Sequence, residues 1–93
     1  MEYKVVIYQH GGKYWLAGGQ LAIKKKDAVH FYNSTAHPAE VKGDKVWPDT
    51  KPLNIGSNGD GKVTFDDEGW FPYTVKIDGQ EAEASKPIVI VYP

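Results

Sequence analysis

Valine, isoleucine, tyrosine, phenylalanine and tryptophan recur along the chain in short runs, and glycine, asparagine, aspartate or proline separates one run from the next. Such punctuation predicts strands joined by turns. Tyr3–Tyr8 reads as a first strand, broken by Gly11-Gly12. Tyr14-Trp15-Leu16 is a short apolar patch that Gly18-Gly19 ends. Gln20–Lys24 alternates, with Leu21 and Ile23 on one face. Ala28–Asn33 alternates as well, placing Val29, Phe31 and Asn33 on one side and His30 and Tyr32 on the other. Ala39–Val41 is a further short strand after Pro38, and Gly43-Asp44 signals a turn. Two prolines make Lys45–Asn54 loop or sheet edge.

The second half repeats the pattern. Gly56–Gly61 is a long turn, Lys62–Phe65 a strand, and Asp66–Gly69 another turn. Trp70–Ile77 is a long strand with Pro72 near its start, and Asp78-Gly79 turns the chain. Gln80–Pro87 is polar and irregular, with one helical turn at Glu81–Ser85. Ile88–Tyr92 is continuously apolar and predicts a central strand covered on both faces. Seven or eight short strands at this spacing predict one all-β domain over residues 1–93, a two-sheet sandwich or small barrel. Its core is expected to include Val5, Ile7, Leu21, Ile23, Val29, Phe31, Val63, Phe65, Tyr73, Val75, Ile88 and Ile90.

Composition removes several functions. The chain has no cysteine, so disulfides, thiolate metal sites and cysteine nucleophiles are excluded. All 11 basic residues are lysine, and the net charge is −1. Without arginine there is no bidentate fork for bases or phosphate, so nucleic acid is not an expected partner. Residues 1–46 carry +3 and residues 47–93 carry −4. The first apolar run is too short for a signal core or a membrane span. The chain as written is expected in the cytoplasm, or in the periplasm or outside the cell where a signal peptide has been removed.

Motifs add exclusions. Asn58–Asp67 resembles a calcium loop, but the first ligand position falls on Gly56, which has no carboxylate. A turn in which Asx side chains cap backbone amides explains the same residues. Asp66-Asp67-Glu68 clusters carboxylates on a turn, where adjacent side chains point apart. No nucleophile elbow, zinc-protease helix, Walker loop or dinucleotide glycine pattern occurs, so no enzyme is expected. The three histidines, 10, 30 and 37, lack compact ligand spacing.

Residues 21–41 carry a resemblance. An alternating strand, a lysine-aspartate turn and a strand closing on Asn33, with His37 soon after, look like the middle of a cupredoxin of the plastocyanin and amicyanin type. Lys62–Val75 is similar to that family's strand, acidic-glycine turn and aromatic strand, and Ile88–Tyr92 to its final strand. The resemblance implies a Greek-key β-sandwich, with an immunoglobulin-like sandwich as the alternative. It also implies that His37 stands near the family's first copper-ligand histidine. The family's cysteine, histidine and methionine ligands follow the aromatic strand, and Val75–Ser85 has none of the three. Blue copper needs that thiolate, so the resemblance implies the sandwich without a cofactor.

These readings converge on a non-catalytic binding or structural module. Its working surface is expected at the loop end carrying His37, Pro38 and the Gln80–Ser85 loop. His37, Trp47 and Trp70 are the candidate binding residues, the two tryptophans as exposed aromatics. Protein or carbohydrate is the expected partner. One alternative is a metal or redox site using His37 with His30 or His10. Another is carbohydrate binding through Trp15, Trp47 or Trp70.

Overall fold

The computed structural model describes residues 2–43, 47–48, 52–84 and 86–93. Every regular element among them is a strand: β1 (Glu2–His10), β2 (Lys13–Ala17), β3 (Gln20–Lys24), β4 (Ala28–Asn33), β5 (Ala39–Gly43), β6 (Leu53–Ile55), β7 (Asp60–Thr64), β8 (Gly69–Ile77), β9 (Gln80–Glu81) and β10 (Ile88–Tyr92). Two sheets form. One runs β2-β1-β4-β7, and the other β3-β10-β8-β5-β6 with β9 also on β8. Two pairings are parallel, β1 with β4 and β10 with β3. This is the expected two-sheet sandwich.

Alternation decides which side chains fill it. On β8, Phe71, Tyr73, Val75 and Ile77 point inward and the residues between them face water. β4 does the same with Val29, Phe31 and Asn33. Val5, Ile7, Ile23, Val63 and Phe65 complete most of the expected core. An aromatic group lies within it. Phe31 meets Tyr73 edge-on at 5.5 Å between ring centroids, and Phe65 lies 5.2 Å from Phe71.

Three core expectations are corrected. Leu21 is half-buried and packs against the core from its edge. Ile88 and Ile90 are half-buried on the outer side, while Val89 and Val91 point inward. β10 is central, between β3 and β8, but only one of its faces is covered. An unbroken apolar run has no phase, and a one-residue slip exchanges the two faces.

Other local readings also change. Gln80 and Glu81 pair with Ile77 and Lys76, and Glu83 bridges Trp15, so this stretch is extended where a helical turn was expected. Part of the segment read as loop or edge is an edge strand, β6, against β5. Asp44, residues 45–46 and 49–51 of that segment, and Ser85 lie outside the described residues. The calcium-like stretch begins in a turn, with Gly59 N–H donating to the Gly56 carbonyl at 2.9 Å and Asn58 at a φ of 59°, and continues into strand β7 from Asp60.

Candidate functional site

β8 is the longest strand of its sheet, and its two ends differ in chemistry. Its C-terminal end, at Ile77, pairs with Ala39 just after His37 and Pro38. Here β4 terminates in Asn33, whose side chain faces inward and is 1% exposed. A buried amide must satisfy two N–H donors and a carbonyl. Asn33 Nδ2 donates to the carbonyl oxygens of His37 at 2.8 Å, Ile55 at 3.1 Å and Gly56 at 3.2 Å. Its Oδ1 accepts from Thr35 N–H at 3.0 Å and Thr35 Oγ1 at 2.7 Å. Ser57 Oγ donates to the Thr35 carbonyl at 2.7 Å. One side chain thus ties the β4–β5 loop to the turn after β6.

The histidines do not gather around this knot. The His37 ring is exposed. His30 lies on the outer face of β4, the face opposite Asn33, and stacks on Tyr32 at 6.1 Å. In register it stands between Lys4 and Lys62. His10 is exposed at the end of β1. His30 is thus on the outer face of a strand, and His37 is in the loop that follows that strand. Among the described residues, no three side chains of histidine, cysteine, aspartate or glutamate group as metal ligands do.

After β8 the chain turns through Asp78-Gly79, at φ values of 52° and 75°. Two positive φ angles in a two-residue loop are the type I′ hairpin, for which Asp-Gly is a preferred pair. The strand that follows is tied by backbone bonds. Ala82 N–H donates to the Val75 carbonyl at 2.8 Å and Glu83 N–H to the Tyr14 carbonyl at 2.7 Å. Leu16 N–H returns a 3.3 Å bond to Glu83. The segment after β8 joins the two sheets.

The tryptophans separate. Trp47 was expected to be exposed and is 5% exposed. Its ring meets Phe65 edge-on at 5.2 Å and lies 5.6 Å from Tyr73. A Cβ at Gly43 would fall 2.1 Å from the Trp47 ring, so glycine is what lets the indole close over β5. Trp47 is core and is withdrawn from the candidate surface. Trp15 is half-buried and donates through Nε1 to the His10 carbonyl at 2.9 Å. Trp70 is 71% exposed. It stands near the N-terminal end of β8, roughly 23 Å along the strand from Ile77 and the His37 loop, so His37 and Trp70 belong to different places.

Around Trp70 the outer face of the larger sheet is apolar. Trp70, Ile90 and Ala22 form one cross-strand row, and Pro72 and Ile88 lie opposite each other in the next. Tyr92, 45% exposed, extends the patch along β10. Farther along β8 the same face becomes polar. A trough of about 480 Å³ is bounded by Glu40, Lys42, Pro72, Thr74, Lys76 and Glu81. Glu40 and Glu81 stand opposite Lys76 from its two sides. Residue alternation on β8 could have placed Trp70 beside Pro72, Thr74 and Lys76. The contribution of Ile88, Ile90 and Ala22 required the pairing of β10 and β3.

No family model and no curated protein matches the chain. Solved structures do. Amicyanin from Paracoccus versutus (Thiobacillus versutus) superposes with a TM-score of 0.69 at 18% identity, over 98% of this chain and 81% of that one. An oxidized proline-to-alanine variant of amicyanin gives 0.68 at 19% identity, over 98% and 82%. The reduced Cu(I) form of a proline-to-glycine variant at pH 4 gives 0.66 at 19% identity, over the same shares. The chain has the cupredoxin fold. Its residues do not fit the blue copper centre that the fold can hold. That centre takes a thiolate and two imidazoles. The chain has no cysteine, and a two-residue hairpin with a backbone-bonded strand follows β8.

Proposed function

We propose that this cupredoxin-fold chain is a non-catalytic recognition module and that its working surface is the outer face of the larger sheet, around Trp70. The observation that carries this reading is Trp70 itself, a residue 71% exposed on a regular strand beside Ile90, Pro72 and Ala22. Every 100 Å² of apolar surface left in water forgoes about 2.5 kcal/mol of burial free energy. A contiguous apolar patch with a polar border is the usual form of an interaction site. The two sheets supply a rigid base, because Phe71 and Tyr73, which alternate with Trp70 and Pro72, are fixed in the core.

The test is tryptophan emission. An indole as exposed as Trp70 emits in a polar environment, and a bound ligand excludes that water. A panel of soluble oligosaccharides and extended peptides is expected to contain members that shift the emission to shorter wavelength. Trp70→Phe is expected to remove the shift while Trp47 and Trp15 still emit. A shift that survives in Trp70→Phe moves the site elsewhere, and a panel that leaves Trp70 unmoved overturns the reading.

A further inference from the structure

The file of outward residues on β8, Trp70, Pro72, Thr74 and Lys76, leads from the exposed indole into the trough. Its ends are about 20 Å apart at the rise of an extended strand. We infer that this file is a binding strip for a neutral polysaccharide chain, with Trp70 as the stacking platform and the trough as the hydroxyl-binding end. The inference rests on the recognition face proposed above and names its ligand.

Three features select the ligand. The first is length, since an apolar platform and a polar trough in one line suit an extended molecule. The second is charge. Glu40 and Glu81 carry two negative charges and Lys42 and Lys76 two positive ones, and Lys76 stands in register between the two glutamates. Opposite charges so interleaved leave little net field for an ionic ligand. They do offer both hydrogen-bonding roles. The carboxylates accept and the ammonium groups donate, and Thr74 Oγ1, which donates to the Lys42 carbonyl at 3.5 Å, accepts. Hydroxyl groups, each a donor and an acceptor, match such a surface. The third is the backbone. The N–H and C=O groups of β8 pair with β10 over Gly69–Pro72, with β5 over Tyr73–Ile77 and with β9 at Lys76 and Ile77. The groups so paired are not available to an added peptide strand, which requires a free edge. Recognition on this face is left to side chains. A sugar ring presents a C–H face to the indole and hydroxyls at its rim, which suits an aromatic with an apolar body.

The test uses the full chain labelled with nitrogen-15 and neutral hexasaccharides of glucose, xylose and mannose as probes, with hexagalacturonate as the charged control. The Trp70 indole resonance is assigned as the one missing in Trp70→Phe. At least one neutral hexasaccharide is expected to move that resonance together with the Thr74 and Lys76 amides, while hexagalacturonate does not. Trp70→Ala is expected to weaken binding by roughly tenfold or more, as removal of a central aromatic anchor does. Glu81→Gln and Lys76→Met are expected to weaken it several-fold, with amide resonances away from β5, β8 and β9 unchanged. Binding that survives Trp70→Ala overturns the inference, and so does a response to hexagalacturonate alone. If the neutral sugars fail while extended peptides, or a rising concentration of the protein itself, move the Trp70 resonance, the recognition face stands and the polysaccharide falls. If nothing moves it, both fall.

Discussion

The two ends of β8 close the sandwich by opposite means. At the C-terminal end closure is polar, because the Asn33 amide, 1% exposed, holds three carbonyl oxygens and two donors of Thr35. Toward the N-terminal end closure is aromatic, with Trp47, Phe65, Phe71 and Tyr73 packed at centroid separations of 5.2 to 5.6 Å. At the polar end the buried groups bind one another, and His37 and Pro38 stay exposed beside them. Trp70 stands in the outward phase of β8 and lies outside this aromatic group. One end of β8 is thus closed by a buried amide, and the exposed indole of Trp70 lies near the other end of the strand.

The largest expected effect breaks the aromatic end. Trp47→Ala removes a buried indole and should lower unfolding free energy by about 3–5 kcal/mol, the range for such truncations. Urea denaturation measures it, and a loss below ~1 kcal/mol would contradict the burial of Trp47. Next is the polar end. Asn33→Ala leaves Thr35 N–H and buried carbonyls without their partner and should cost roughly 3 kcal/mol. Asn33→Asp is the sharper variant. It keeps the shape but turns a carboxylate toward the carbonyls of His37, Ile55 and Gly56, so it should destabilise at least as much. An aspartate as stable as the wild type would mean that the amide donors are unimportant.

A smaller effect lies between the two ends. Tyr73 OH donates to the Gly19 carbonyl at 2.8 Å, and burial pushes its pKa well above the ordinary tyrosine range. Tyr73→Phe should cost about 1 kcal/mol, the usual net value of such a bond. The raised pKa also fixes a pH dependence. Below about pH 10 tyrosine is protonated in both states, and Tyr73 contributes its full stability. Above that, the unfolded chain releases the proton more readily than the folded one, so stability falls as pH rises. Denaturation midpoints from pH 8 to 11 should fall more steeply for the wild type than for Tyr73→Phe. Parallel profiles would contradict this.

The smallest expected effect on stability is at Trp70. Trp70→Ala should change unfolding free energy by no more than about 0.5 kcal/mol, as for a surface position, while removing ligand-dependent changes in emission. This separates the indole that supports the fold from the one that remains available. A destabilisation comparable to that of Trp47→Ala would erase the difference.

Much of the fold was legible because strand and turn chemistry is local. The Asp78-Gly79 hairpin, the alternation of Ala28–Asn33 and of Trp70–Ile77, and the lack of a thiolate could all be read from residue types in order. Alternation even implied that Trp70 opposes Phe71 and Tyr73. Less could be read where alternation was absent. Ile88–Tyr92 is apolar at every position, so its inward phase was set by pairing with β8 and β3. Trp47 lies outside any strand, and its burial depends on the bare backbone of Gly43 and on rings distant in sequence. Asn33 could be placed on the inner face, but not with its partners at Ile55 and Gly56 more than twenty residues away.

The order of residues alone determined an all-β chain with turns at defined places and no thiolate for copper, because turn geometry, alternation and ligand chemistry depend on which residues are present and how they are spaced. Only the tertiary structure decided that Trp47 is core. Its burial depends on Phe65, Tyr73 and the bare backbone of Gly43, which come together only when the sandwich closes.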